Sequence, residues 1–142
     1  MNKLEEQFIP LKESFDMKEL GFEDDCLAIH SINLMTENED WELKIGGVWK
    51  NQELVGSIKA PMYSQCFDFF RKKYNLYSEI NLDSYKEPYS LKVTIKHLDD
   101  TNTFVDKEYY PYSNGIGDID NKKYEEAELA CLIKLIEIVK TK

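Results

Sequence analysis

Arginine is nearly missing from this 142-residue chain, with Arg71 the only one. Phosphates and base edges are read mostly by the guanidinium fork and by clustered positive charge. With 27 acidic residues against 18 basic ones, for a formal net charge of −9, a general nucleic-acid binder is disfavoured. An anionic membrane surface is disfavoured for the same reason. Histidine is scarce too, and neither His30 nor His97 has a second His, Cys or acid at ligand spacing. The three cysteines, Cys26, Cys66 and Cys131, form no Cys-x-x-Cys pair. Because zinc needs about four ligands in a tetrahedron, neither a metal site nor a cofactor is expected. An odd number of widely spaced cysteines, each beside an apolar neighbour, points to buried free thiols in a reducing compartment.

Catalytic signatures are missing as well. There is no nucleophile elbow, Walker A loop, dinucleotide fingerprint or zincin helix. Gly115-Ile116-Gly117 is the only Gly-x-Gly; without a third glycine and a directly following helix it reads as a turn. Asp118-Ile119-Asp120 opens like a calcium loop, but Lys122 and Lys123 stand where an acid or Asn and then a Gly are required. No catalytic residue is assigned, and the chain is expected not to be an enzyme. No stretch approaches the roughly 20 apolar residues that span a bilayer. Met1 to Phe8 has no apolar run of the kind a secretory leader carries. The expectation is a cytoplasmic protein without a membrane partner.

What the chain does contain is globular composition, 42% hydrophobic and 32% charged. Its length suits one domain, so residues 1–142 are expected to form a single globular domain with an ordered core of about 8–140. Leu11 to Leu20 reads as a short helix ended by Gly21. Leu27 to Met35 has mild strand character. Trp41, Leu43 and Ile45 alternate with Glu42 and Lys44 as a half-buried strand. Gly46-Gly47 is either a hairpin turn or a bulge; the bulge is preferred, because it leaves a longer strand carrying Trp49 to pair with Leu54 to Ile58. Pro61 to Tyr74 is an amphipathic helix with Pro61 first and Asn75 ending it. Tyr77 to Leu82 is a strand, Tyr89 to His97 alternates most cleanly of all, and Phe104 to Tyr112 returns as its hairpin partner. Lys122 to Lys140 is the terminal helix, capped by Asp120 or Asn121. The predicted fold is α+β, with a mainly antiparallel sheet of five or six strands and the helices packed on one face. Phe67, Phe70, Leu91, Val93, Ile95, Cys131, Leu135 and Ile138 are the predicted core.

Two surface clusters are candidate sites. Glu37, Glu39, Asp40 and Glu42 put four acids around Trp41. A solvated loop and a core tryptophan explain them blandly. As a binding site, the acids would steer encounter with a basic surface and Trp41 would anchor it. Arg71, Lys72 and Lys73 form the one basic run, placed in a last helical turn where cations offset the helix dipole. The alternative is RNA contact by this run, with Tyr109, Tyr110 and Tyr112 as a stacking surface. Glu128 falls inside the apolar arc of the terminal helix: it is either a solvated first-turn acid or a buried one with a raised pKa.

Phe8-Ile9-Pro10, Lys18-Glu19-Leu20-Gly21-Phe22, Lys59-Ala60-Pro61-Met62-Tyr63 with Phe67 to Tyr74, and Tyr124 to Leu132 through Val139 are phrases that resemble short uncharacterised proteins of Bacteroidetes bacteriophages and prophages. The resemblance covers both ends and the middle helix, but not Ile29 to Gly56. That family carries no settled activity, so no residue roles transfer. The resemblance implies a mobile-element gene, a setting in which small inhibitors of host defence are common. The leading expectation is a non-catalytic accessory protein that binds the basic surface of a host or defence protein, for instance as an anti-CRISPR protein acting on a CRISPR effector or its guide RNA. The alternatives are a small-ligand or nucleotide-binding module and an RNA-binding module. The sequence assigns no oligomeric state.

Overall fold

A computed structural model describes residues 4–32, 40–49, 56–83, 90–98, 104–109 and 121–141. The class is α+β, as expected, but the described strands form two antiparallel sheets rather than one. The chain divides into two compact units, Met1–Cys66 and Phe67–Lys142, each with its own three-stranded sheet.

In the first unit, a 3-10 turn at Glu5–Gln7 leads into helix α1, Leu11–Glu19. This helix ends as its sequence dictates. Gly21 takes φ 95°, its N–H donates to the Lys18 carbonyl, and the Phe22 N–H donates to the Met17 carbonyl, each at 3.0 Å. The pair is a Schellman cap, which needs the left-handed backbone that glycine adopts without penalty. Glu13, Ser14 and Met17 form the buried face of α1, which contacts strand β3.

Strands β1 (Cys26–Ile32), β2 (Trp41–Trp49) and β3 (Ser57–Lys59) follow in the spatial order β2-β1-β3. The Gly46-Gly47 bulge is present: Cys26 pairs with Trp49 and Ala28 with Ile45, so β2 carries two extra residues at that point. The expected pairing of the Trp49 strand with Leu54 to Ile58 is corrected for Ser57 and Ile58; Leu54 and Val55 lie outside the described residues. Both partners bind β1 instead, and β3 lies on the far side of it. The reason lies in β1 itself. Ala28, Ile29 and His30 are all buried, as a central strand requires, whereas β2 is exposed along most of its length. Phe8, Ala28 and Ala60 form the local core, with Leu43 and Met62 against it.

Helix α2 is Tyr63–Tyr74 and begins two residues later than expected. Pro61 suits a first helical position, but here its carbonyl accepts the Ile9 N–H at 3.0 Å and Met62 bridges to Phe8. Gln65 Oε1 accepts the Met62 N–H at 3.0 Å, half of a capping box that starts the helix there. Asn75 closes the helix at φ 55°.

The second unit holds β4 (Leu76–Asp83), β5 (Ser90–Leu98), β6 (Phe104–Tyr109) and helix α3 (Asn121–Lys140), with β5 central. Helix α3 packs on β4 and β5. Ala127, Cys131, Leu132, Leu135 and Ile136 are its buried stripe, and Val93 and Ile95 are buried in the sheet. Phe70 is fully buried. Phe67 and Ile138, expected in the core, are half-buried, and the Leu91 side chain lies outside the described set. Tyr110, Pro111, Tyr112, the Gly115–Gly117 turn and Asp118–Asp120 also lie outside the described residues. No described helix is long and apolar enough to cross a membrane.

Candidate functional site

Strand β2 carries the described part of the acidic candidate. Asp40 and Glu42 are exposed and Trp41 is half-buried; Glu37 and Glu39 lie outside the described residues. Register decides which way these side chains face. Trp41 pairs with Ile32, Leu43 with His30 and Ile45 with Ala28, so the three apolar residues share one face. Glu42 and Lys44, opposite Ser31 and Ile29, lie on the other. Glu42 is therefore Trp41's neighbour along the strand but lies on the other face of the sheet. On its own face Trp41 meets Phe15 of α1 edge-on, with ring centroids 5.8 Å apart. Phe15 is nonetheless 46% exposed. Sequence reasoning missed Phe15 as a partner, although it stands on the opposite side of α1 from Glu13 and Met17 at 100° per residue.

A second acidic group sits at the other end of the β1–β2 pair, about 20 Å away at strand rise. Glu23, Asp24 and Asp25 are all exposed. Their backbone carbonyls are engaged: Lys59 Nζ donates to those of Glu23 at 3.0 Å and Asp24 at 2.8 Å. Gln65 Nε2 donates to the Asp25 carbonyl at 2.9 Å. With the carbonyls engaged, the carboxylates are left to solvent. Nothing in the sequence around Lys59 or Gln65 marked them for this role, because both contacts span more than 30 residues.

The basic candidate is partly neutralised within its own helix. Asp68 pairs with Arg71 and, at 2.8 Å, with Lys72. The Lys72 and Arg71 hydrogen bonds hold the Asp68 carboxyl below its ordinary pKa. Lys73 lies over the rings of Phe69 at 5.4 Å and Tyr74 at 5.5 Å, an arrangement that favours the cation where it is. Tyr109 is the last residue of β6, opposite Val93; Tyr110 and Tyr112 are outside the described residues.

The remaining titratable groups are internal. His30 Nε2 lies 2.9 Å from the Ile9 carbonyl, which can only accept, so Nε2 carries the proton. Burial pushes the His30 pKa down, and the Ile9 hydrogen bond opposes that only in part. The ring ties the Phe8–Ile9 segment to β1. His97 is half-buried on β5, between Leu76 and Val105. All three thiols are buried and free. Burial raises Cys26 to about 11, Cys131 to about 12 and Cys66 well above its ordinary value. These are thiols that resist becoming the thiolate nucleophile. Glu128 is half-buried on α3, and burial, helped by Glu125, raises it to about 7. Tyr124 and Cys131 share its side of the helix. Among the described residues, no group of three or more His, Cys, Asp or Glu side chains is placed to hold a metal ion. No protein-family model, curated protein or solved structure matches this chain.

Proposed function

We propose that this chain is a non-catalytic phage or prophage accessory protein that binds and inhibits a host-defence macromolecule by placing its acidic Met1–Cys66 unit on a basic surface. The observation that carries the reading is the concentration of charge. Met1–Cys66 holds thirteen acids and six bases, net −7, against fourteen and twelve, net −2, in Phe67–Lys142. Five of those acids, Glu23, Asp24, Asp25, Asp40 and Glu42, are exposed at the two ends of the β1–β2 pair. Exposed carboxylates so placed speed encounter with a positive surface, and a half-exposed aromatic pair, Phe15 and Trp41, supplies the apolar anchor. Proteins that handle nucleic acid, CRISPR effectors among them, present basic channels of this kind, and the resemblance to phage proteins supplies the biological setting. RNA contact through Arg71–Lys73 is the weaker reading, because Asp68 already offsets Arg71 and Lys72.

The test is phage plating on defence-bearing hosts that express the chain. Wild type is expected to restore plaques, and the double variant Asp40→Lys/Glu42→Lys, with an unchanged melting curve, to lose the effect. Failure of wild type to raise plating on any host of a CRISPR-bearing panel would sink the proposal.

A further inference from the structure

We infer that β2 is a strand-addition site, taking an extended basic segment of the partner along Trp41–Ile45. This rests on the proposed function and specifies how the acidic unit engages its target. β2 pairs only with β1 among the described residues, which place no strand beside the other row of its N–H and C=O groups. Such an edge is a template for another chain. The pairing with β1 is continuous from Trp41 to Ile45, and the bulge at Gly46-Gly47, pinned by the Trp49 Nε1 hydrogen bond to the Gly46 carbonyl at 3.1 Å, interrupts it beyond. The usable edge is therefore five residues, about 17 Å.

Both faces of that edge specify the occupant. On one face Trp41, Leu43 and Ile45 stand in line with Phe15 beside Trp41; Ile45 is 37% exposed. An added strand would lay alternate apolar side chains there. On the other face are the exposed Glu42 and Lys44, with Asp40 at the strand's start. Cross-strand neighbours on one face interact directly, and opposite charges are favoured. The added strand should thus carry lysine or arginine beside Asp40 and Glu42, and a neutral residue beside Lys44. A second copy of this chain does not fit: it brings a net charge of −9, and Lys44 together with the bulge is the sort of device that keeps an edge from pairing with its own kind.

The probe is a capped peptide, Val-Ser-Val-Lys-Val-Lys, designed to lie antiparallel along Ile45 back to Asp40. It is titrated into the labelled full chain by NMR. Saturable shifts centred on the amides of Trp41–Ile45 and the Trp41 indole are expected. Replacing both lysines by glutamates should weaken binding by about tenfold or more, and methylating alternate backbone nitrogens should do the same by removing the added ladder. Absence of binding, or equal binding by the methylated or glutamate peptide, overturns the inference. So does a concentration-dependent dimer in sedimentation that shifts the same amides. If the peptide fails while Asp40→Lys/Glu42→Lys still abolishes plaque rescue, the docking mode falls and the proposed function stands. If the peptide binds this edge while the chain rescues no host, the reverse holds.

Discussion

Met1–Cys66 and Phe67–Lys142 each build a three-stranded antiparallel sheet, but they differ in what they leave outside. The second unit lays a 20-residue helix on two of its strands and carries a nearly balanced charge. In the first, β2 is a nine-residue strand at the edge of the sheet among the described residues, mostly exposed, with net charge −7 in the unit around it. Apolar surface and one-sided charge both oppose solubility or compactness unless something compensates. Their coincidence in one unit is the feature on which the proposed binding surface rests.

The contrast can be broken at the level of stability. Phe70 is fully buried, and Phe70→Ala is expected to cost about 3–5 kcal/mol in a denaturant melt. A loss under about 1 kcal/mol would mean that the second unit is not the packed one. In the first unit the comparable liability is polar. His30→Leu would remove the donor to the Ile9 carbonyl and is expected to cost about 1–3 kcal/mol at pH 7.5. Its pH signature is specific. The folded state holds the His30 pKa below 6.5, so its contribution is present above about pH 6.5 and is lost as pH falls through the folded pKa. The wild-type penalty between pH 7 and 5 should shrink in the variant.

Glu128 in the second unit works in the opposite sense. Its folded pKa of about 7 lies above the ordinary 4.5, so the stability tied to its protonated form is present below about pH 4.5 and is lost as pH rises to about 7. Glu128→Gln should therefore stabilise the chain at pH 8, on the order of 1 kcal/mol after allowance for its partial solvent contact, and leave it nearly unchanged at pH 4.5. Thermal melts at the two values measure this directly, and equal effects at both would place the carboxyl in water. Smallest of all should be Val48→Ser, at 60% exposure, within about 0.5 kcal/mol. A larger loss in the melt would mean that β2 is covered.

Much of this architecture is legible in sequence, and the failures have physical causes. Helix α3 and strand β5 are long and periodic, so local spacing locates them and most of their buried residues, Val93, Ile95, Cys131 and Leu135 among them; Ile138 is only half-buried, and Thr94 is buried although it falls on the alternate face. Strand partners are a different matter. The segment from Leu27 carries no local mark that it is central, and the choice between a Trp49–Ile58 hairpin and two strands on β1 is made by burial across the sheet. Pro61 shows the same limit: its helix-start preference yields to the Ile9 N–H that needs its carbonyl. The split between Trp41 and Glu42, by contrast, follows from the Trp-Glu-Leu-Lys-Ile alternation. The two-residue period puts Glu42 on the face opposite Trp41; Glu37 and Glu39 lie outside the described residues. His30 with Ile9, and Lys59 with the carbonyls of Glu23 and Asp24, are long-range contacts with no sequence signal.

That function resides in the acidic unit and not in the basic run of α2 is a proposal. It is tested most directly by plating phage on a defended host that expresses one of three chains: wild type, Glu39→Lys/Asp40→Lys, or Arg71→Ala/Lys72→Ala/Lys73→Ala. Each is first shown to melt like wild type. The acidic double variant is expected to lose plaque rescue while the basic triple variant keeps it. Rescue retained by the acidic variant and lost by the basic one would overturn the proposal and move the binding site to the end of α2.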